Sequence, residues 1–256
     1  MVENGRVEST ALDGVATISF FHPQSNSLPG IVLHKLADAI TEAGNNPEIK
    51  VIILKSEGDK IFCAGASFDE LIAIDTLEKG KEFFSGFALV INAMRKAPKF
   101  IIARVQGKAV GGGVGLICAS DYALATDEAA VKLSELAIGI GPFVVGPAVE
   151  RKIGLAAFTD LAINATSWKN ALWAKEKGMY ADTFSSKDEL DNAINELANK
   201  LSGSNPEAME LLKKAFWKGT DHWDTLLFER AEMSGKLILS DFSKNAINKF
   251  KASIQK

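Results

Sequence analysis

Short apolar runs alternate with longer amphipathic stretches through the first half of the chain. The short runs are rich in β-branched or small apolar residues, which predicts strands rather than helices. The longer stretches repeat apolar residues at steps of three and four, the period of a helix with one buried face. Strands separated by helices predict an α/β architecture. The predicted strands are Val15–Phe20, Val51–Ser56, Phe100–Val105 and Tyr122–Thr126, and the predicted helices are residues 30–44 and 77–97.

The pattern changes after Gly139, where strand signals fade and helical periodicity takes over. The amphipathic helices predicted there cover residues 187–201, 206–219 and 223–239. Ser186 and Asn205 are suited to cap two of these helices, because their side chains can accept hydrogen bonds from the first turn. We therefore expect a core domain of residues 1–184 and a helical C-terminal region of residues 185–256.

Composition and charge narrow the class of protein. A net charge of −3 over 256 residues provides no bulk attraction for a phosphate backbone, so nucleic acid is not an expected partner. No apolar run approaches the roughly 18 residues of a membrane span, and the N-terminus lacks a basic region followed by an apolar one. We expect a cytoplasmic protein with no membrane partner. Cys63 and Cys118 lack the spacing of a metal site and are expected to be buried.

Two glycine-bearing stretches follow predicted strands. One is KAVGGGVGLICAS, Lys108–Ser120, and the other is DKIFCAGASFDEL, Asp59–Leu71. Neither has the lysine and hydroxyl residue of a phosphate-binding loop, so a nucleotide site is not favoured. Two strand-to-helix turns can aim backbone N–H groups into one space, which is how an oxyanion hole is built. Close packing of a helix against a strand is the alternative explanation for the glycines.

Three stretches in the same order and spacing resemble the enoyl-CoA hydratase/isomerase family, the crotonases. They are FCAGASFDEL, VQGKAVGGGVGL and KLSELAIGIGP. The resemblance runs from the N-terminal strand, through HPQSNSL, to DFSKNAINKF, and covers nearly the whole chain. The resemblance implies a crotonase-like spiral of ββα repeats with a helical C-terminal trimerisation region, and hence a homotrimer or hexamer. It also implies an acyl-CoA substrate and no metal or other cofactor.

The resemblance further implies which residues carry the chemistry. The backbone N–H groups of Ala66 and Gly112 would bind the thioester oxygen, and Glu135 would move protons. We expect Gly112 to lack a side chain so that this oxygen can reach the peptide N–H. Gly115 stands where hydratases of the family carry a first glutamate, so only the second carboxylate is kept. Further substrate contacts are expected from Asn26, Ala64, Gly65, Gly111, Phe87, Pro142 and Phe143.

A single carboxylate suffices to lift a proton from Cα and return it at Cγ, and the isomerases of the family are similar in keeping only the later glutamate. The turn GIGPF, Gly139–Phe143, also resembles the isomerases, and Phe143 would occupy the space that hydratases leave for water. We therefore favour double-bond isomerisation of an enoyl-CoA. Hydration, of a fatty acyl or a branched thioester such as methylglutaconyl-CoA, and a non-catalytic acyl-CoA-binding scaffold are the alternatives.

Aromatic residues outside these motifs have structural explanations. Phe87 lies on a predicted helix at spacings more typical of a core residue than of a ligand pocket, although the resemblance would also place it near the acyl chain. In the helical tail, Trp217, Trp223 and Phe228 are expected to be buried between subunits.

Overall fold

The computed structural model of the protein describes residues 5–254. The strands are β1 (Arg6–Leu12), β2 (Val15–Phe21), β3 (Ser27–Leu28), β4 (Val51–Ser56), β5 (Ile61–Cys63), β6 (Gly65–Ala66), β7 (Phe100–Val105), β8 (Lys108–Val110), β9 (Tyr122–Thr126), β10 (Ala130–Lys132), β11 (Lys169–Asn170) and β12 (Asp182–Phe184). The helices are α1 (Gly30–Asn45), α2 (Phe68–Ile72), α3 (Leu77–Lys96), α4 (Gly112–Ala119), α5 (Gly146–Ile163), α6 (Ala171–Glu176), α7 (Lys187–Ser202), α8 (Pro206–Phe216), α9 (Trp223–Ile238) and α10 (Asp241–Ile254), and a 3-10 helix spans Glu135–Ile138. All four predicted strands and all five predicted helices are confirmed.

The chain winds as a spiral in which each turn contributes one strand to a large sheet, one strand to a smaller sheet, and a helix. The large sheet has the order β1-β2-β4-β7-β9-β12 and is parallel except for the β1–β2 pair. The smaller sheet has the order β11-β10-β8-β5, and β3 pairs separately with β6. One turn of the spiral is β7, β8 and α4, and the next is β9, β10 and α5. The predicted α/β class is therefore correct.

Both faces of the large sheet are buried, which explains why its central strands read as unbroken apolar runs. In β4, Ile52 and Leu54 face the main core inside the spiral. Val51 and Ile53 face the other way and pack against Leu190 of α7. A helix of the C-terminal region thus covers the outer face of the sheet.

Strands continue beyond Gly139, contrary to the fading signal in the sequence. β12 adds to the large sheet beside β9, and β11 adds to the small sheet beside β10. These strands of three and two residues are too short to produce a readable alternation, since they take their place from neighbouring strands. The predicted caps are correct, because Ser186 accepts a hydrogen bond from Glu189 N–H and Asn205 accepts from Glu207 N–H. The division near Phe184 stays a prediction.

The aromatic residues of the tail are buried inside the chain itself, so their expected burial between subunits is wrong for the two tryptophans. The rings of Trp217 and Trp223 meet edge-on at 5.9 Å, and both belong to the main core. Phe228 is partly buried against the same core. The helix α9 also lies directly on α3: the backbones of Gly80 and Gly235 touch, and a Cβ on Gly80 would lie 2.8 Å from Gly235 Cα.

The cysteines, the length of the helices and the placement of possible metal ligands follow from the described part of the chain. Cys63 and Cys118 are both buried and unpaired, as expected. Between residues 5 and 254 no helix is long and apolar enough to cross a membrane. Within the same range, no group of three or more histidine, cysteine or acidic side chains is arranged to hold a metal ion.

Candidate active site

The glycine turn before α4 has a backbone conformation that favours glycine. Gly111 has φ +53°, in the left-handed region, and its N–H donates to the carbonyl of Lys132 at 2.9 Å. Gly112 follows as the first residue of α4, so its N–H has no acceptor one turn earlier within the helix. The turn therefore presents a backbone donor at the positive end of the helix dipole.

The second glycine turn lies directly against the first. Gly65 has φ +94°, and a Cβ built on it would lie 3.2 Å from the Val110 carbonyl oxygen and 3.8 Å from Gly112 N. Ala66 follows Gly65 and ends β6, and the Ser67 side chain then caps α2 by accepting from Glu70 N–H. The structure thus brings together the two strand-to-helix turns that carry Ala66 and Gly112.

Close packing, the alternative explanation for the glycines, is present at the start of α4. A Cβ at Gly112 would lie 2.2 Å from the ring of Phe87, which is buried on α3. At Gly113 a Cβ would lie 2.5 Å from the carbonyl oxygen of Cys63. Close packing therefore requires glycine at position 113, where the neighbour is backbone, whereas a Cβ at position 112 would need the Phe87 ring to move. Access of a thioester oxygen to the Gly112 N–H stays a prediction. Phe87 is a core residue that also abuts the candidate donor, so the two explanations offered for it are not exclusive.

Glu135 places its carboxylate beside these turns. It begins the 3-10 helix that follows β10, and a Cβ on Gly111 would lie 3.0 Å from Glu135 Oε1. The residue as a whole is half-buried, but its carboxyl group is buried, and Oε2 has no hydrogen-bond partner among residues 5–254. Burial raises the pKa of Glu135 from 4.5 to about 7, against a smaller lowering by its own backbone N–H. Such an acid can accept or donate a proton near neutral pH.

The space next to Gly115 is filled by apolar side chains. A Cβ on Gly115 would lie 2.5 Å from Val145 Cγ1 and 3.6 Å from Ile91 Cδ1, and both residues are buried. A carboxylate at position 115 would therefore need Val145 to move. Sequence reasoning missed Val145, because its contact with Gly115 arises from the packing of α5 on α4 and has no local signal.

Phe143 packs within its own turn. Its N–H donates to the Gly141 carbonyl at 2.7 Å, and its ring would lie 2.6–2.8 Å from a Cβ on Gly141. Pro142 is buried, and its carbonyl accepts from Gly146 N–H at 2.8 Å. The residue that touches Gly115 is Val145, so the expected displacement of a water by Phe143 stays a prediction, as do substrate contacts from this turn.

The turn containing Asn26 is held by its side chain. Asn26 has φ +53° and is buried; its Oδ1 accepts from His22 N–H, and its Nδ2 donates to the carbonyls of Glu57 and Ile61. Its own carbonyl accepts from Ala64 N–H at 3.2 Å. These bonds attach the 22–28 turn to the segment that leads into Gly65. A substrate contact by Asn26 or Ala64 stays a prediction.

Gln106 is a buried polar residue that the sequence analysis overlooked. Its Nε2 donates to Ser56 Oγ and to the carbonyls of Gly58 and Ile61, while Oε1 has no partner within residues 5–254. It therefore joins the ends of β4 and β7 to the start of β5. The glutamine in VQGKAV is the only local signal, and it did not indicate this role.

Comparisons with known proteins agree with this architecture. The family model described as enoyl-CoA hydratase/isomerase matches residues 10–253. The chain is 29% identical to a short-chain-enoyl-CoA hydratase of Clostridium acetobutylicum over 239 residues, which cover 92% of this chain and 90% of that protein. It is 31% identical over 200 residues to the mitochondrial methylglutaconyl-CoA hydratase of Rattus norvegicus, covering 77% of this chain and 63% of the relative.

Other matches carry different reaction names or only the fold. A peroxisomal Delta(3,5)-Delta(2,4)-dienoyl-CoA isomerase of Arabidopsis thaliana is 29% identical over 186 residues, covering 67% of this chain and 65% of that protein. The solved structure of an enoyl-CoA hydratase from Bacillus halodurans superposes with a TM-score of 0.88 at 21% identity, covering 95% of this chain and 99% of that one. The spiral of ββα turns is therefore the crotonase fold, and the chain belongs to the enoyl-CoA hydratase/isomerase family of enzymes.

Proposed function

We propose that this chain moves a double bond within an enoyl-CoA, with Glu135 as the only acid–base group. The observation that carries the proposal is the buried Glu135 carboxylate, which lies against Gly111 and leaves Oε2 without a partner among residues 5–254. A buried carboxylate without a partner destabilises the fold. A protein that only binds acyl-CoA does not need a buried acid that lowers its stability. The buried Glu135 carboxylate therefore favours an enzyme.

The reaction needs two proton transfers at one group. The Glu135 carboxylate removes a proton from Cα of a 3-enoyl thioester, and the C–H electron pair moves into the thioester to form an enolate. The N–H groups of Ala66 and Gly112 bind the enolate oxygen; one such donor typically lowers the barrier by about 3–4 kcal/mol. Glu135 then returns the proton at Cγ, the double bond shifts into conjugation, and the carboxylate is regenerated. A pKa of about 7 suits both transfers.

Hydration is the second candidate, and the names of the relatives favour it. Two of them are called hydratases, of short-chain enoyl-CoA and of methylglutaconyl-CoA. Against it stands Gly115, whose neighbouring space is taken by Val145, so that this position offers no second carboxylate to activate water. Acid and base roles would then both fall to Glu135. We therefore rank isomerisation first.

The test is turnover of two substrates by the purified protein. With a 3-enoyl-CoA we expect a rise in absorbance from the conjugated product, and in D2O we expect Cγ of that product to carry mainly the hydrogen taken from Cα, because the buried Glu135 returns the same proton. With a 2-enoyl-CoA we expect little 3-hydroxyacyl-CoA. Efficient hydration with no movement of the double bond would replace the proposal by the second candidate, and binding without any turnover would favour the scaffold.

We also propose that the protein assembles as a homotrimer or a hexamer, as the family resemblance implies. Since Trp217 and Trp223 are internal, an interface would have to use other apolar side chains, such as the exposed Leu211 and Leu212 on α8. Light scattering of the purified protein measures the mass directly. A particle of 27.5 kDa at micromolar concentration would contradict assembly.

A further inference from the structure

The strand pair that carries Ala66 is too short to hold its own geometry. Strands β3 and β6 have two residues each, and among residues 5–254 they pair only with each other. Gly65, the first residue of β6, has φ +94°, so the strand begins from a conformation that only glycine adopts readily. Even a two-stranded hairpin of ordinary length is only marginally stable in water. The orientation of Ala66 therefore depends on hydrogen bonds beyond this backbone pairing.

The register of the pair leaves the Ala66 N–H outside the ladder. Leu28 pairs with Ala66, and the Leu28 carbonyl accepts from Ser67 N–H at 3.0 Å. In a parallel ladder a residue bonds to the two neighbours of its partner, so the N–H of the partner itself points away. The Ala66 N–H is thus directed away from β3. Ala66 is only half-buried, so a ligand can approach this N–H.

A serine from β3 holds the carbonyl of the same residue. Ser27 is 8% exposed, and its Oγ donates to the Ala66 carbonyl at 2.8 Å. The backbone N–H of Ser27 donates to the Gln24 carbonyl at 3.0 Å, so the serine is itself held by the preceding turn. The hydroxyl of Ser67, the next residue along the chain, is engaged in capping α2. One buried hydroxyl group therefore restrains Ala66 from the side opposite to its N–H.

We propose that Ser27 is a positioning residue, whose hydroxyl holds Ala66 so that the Ala66 N–H meets the thioester oxygen. This inference rests on the proposed function, because it takes the Ala66 N–H as one of the two donors to that oxygen. Loss of a whole oxyanion donor lowers kcat by about 10²–10³-fold, and a donor that is only misplaced retains part of its effect. Because negative charge on the oxygen is larger in the enolate than in the bound thioester, the loss falls on kcat more than on affinity.

The first measurement is the steady-state kinetics of Ser27→Ala with 3-hexenoyl-CoA. We expect kcat to fall by about tenfold and KM to change by less than about threefold. Ser27→Thr keeps the hydroxyl group and should retain most of the wild-type kcat. Ser120→Ala is the matched control, because Ser120 is also buried and its Oγ donates to a backbone carbonyl, that of Ile117. The control should lose stability in urea like Ser27→Ala but should keep the wild-type kcat.

The infrared spectrum of a bound saturated thioester separates this inference from the proposed reaction. Hexanoyl-CoA labelled with ¹³C at the thioester carbonyl cannot isomerise, and each hydrogen bond to its oxygen lowers the C=O stretching frequency. We expect a lowered frequency on the wild type, a smaller lowering on Ser27→Ala, and the wild-type value on Ser120→Ala. If 3-hexenoyl-CoA does not react but the spectra show this pattern, the isomerase proposal fails and the role of Ser27 stands.

Three results would overturn the role of Ser27. The first is a Ser27→Ala band at the wild-type frequency, whatever the kcat of the variant. The second is a wild-type band at the frequency of free hexanoyl-CoA, since no donor would then reach the oxygen. The third is an equal change of the band in Ser120→Ala, which would mean that the loss of any buried serine hydroxyl disturbs the site.

Discussion

Two carboxylates are buried in this molecule in opposite surroundings. Asp121 has a side chain that is 5% exposed, and both of its oxygens are used: Oδ2 accepts from Lys213 Nζ and Ile101 N–H, and Oδ1 accepts from Trp217 Nε1, each at 2.8 Å. Glu135 has a buried carboxyl group whose Oε2 has no partner among residues 5–254. The two acids differ in their hydrogen-bond partners far more than in their burial.

The difference separates a structural group from a reactive one. Lys213 Nζ also donates to the carbonyls of Met94 and Lys99, so all three of its N–H groups are hydrogen-bonded. These bonds join α8 to the end of α3 and to the segment between α3 and β7. Burial lowers the pKa of Lys213, and the carboxylate of Asp121 opposes that shift. At Glu135 no cation opposes the effect of burial, and its own backbone N–H opposes it only in part, so the pKa of Glu135 rises to about 7. Removing the first acid–base pair should damage stability, and removing the second group should damage activity.

The largest expected effect is on turnover when Glu135 is replaced. Glu135→Gln keeps the size of the side chain but removes the base, so turnover of a 3-enoyl-CoA should fall by about 10²–10⁴-fold. Affinity for a saturated acyl-CoA should change little, because the N–H donors remain. Steady-state kinetics and calorimetry measure the two quantities, and an active variant would refute the role of Glu135.

The same base predicts the pH profile of the wild type. Because the carboxylate must be ionised to take the proton from Cα, kcat/KM should rise with pH through about 7 and then level off. A profile already flat above about pH 5 would mean that a carboxylate with an ordinary pKa carries the reaction.

The next effect is on stability, at the other buried acid. Lys213→Met leaves the Asp121 charge buried without its cation, so the free energy of unfolding should fall by about 3–5 kcal/mol. Activity per folded molecule should stay near that of the wild type. The matched control is Lys214→Met, because Lys214 forms an exposed pair with Glu210 one turn away and should contribute no more than about 0.5 kcal/mol. Urea denaturation of the three proteins measures the difference, and equal losses in both variants would contradict the contrast.

A slightly smaller effect should appear as a pH-dependent gain in stability. In the folded state the Glu135 pKa is about 7, above its ordinary 4.5, so the charged form is penalised and the wild type loses stability as pH rises through this range. Glu135→Gln carries no such charge. Its stability relative to the wild type should be unchanged near pH 4 and should grow to about 3 kcal/mol above about pH 8. Urea titrations at several pH values test this, and a constant difference would mean that Glu135 is not buried in solution.

The smallest effect concerns one partner of Asp121. Trp217→Phe removes the indole N–H donor but leaves Lys213 and Ile101 N–H in place, so we expect a loss of about 2 kcal/mol. Trp168→Phe is the control: Trp168 is exposed and its ring makes cation–π contacts with Lys108 and Lys132, which a phenyl ring can partly keep, so the change should cost about 0.5 kcal/mol. If both variants lose the same amount, the hydrogen bond to Asp121 contributes nothing particular.

The sequence predicted local secondary structure and helix caps correctly where a residue acts through its neighbours in the chain. The strand β4 follows from VIILKS, and the caps Ser186 and Asn205 follow from their positions before helical runs. The two glycine turns were also predicted to face one space, because each follows a strand and opens a helix whose first N–H groups are free. These features depend on periodicity and on local hydrogen bonds, which the sequence contains.

The sequence did not predict the contacts between distant elements, and these contacts changed the explanation of several residues. A Cβ on Gly112 would meet the ring of Phe87, and the rings of Trp217 and Trp223 meet each other in the main core. No pattern in the sequence states which side chain will meet which glycine. Such contacts depend on how two helices pack, and that is settled by the whole core at once.

The sequence by itself determined four strands of the large sheet, five of the helices, the family motifs and the glutamate at Glu135. Tertiary structure alone decided that Oε2 of this carboxylate is buried without a partner among residues 5–254 while Asp121 accepts three hydrogen bonds, and that Val145 fills the space beside Gly115. The physical reason is that a carboxyl group has the same chemistry in every sequence. Its pKa and its use depend on the water and the donors that the fold removes from it or supplies to it.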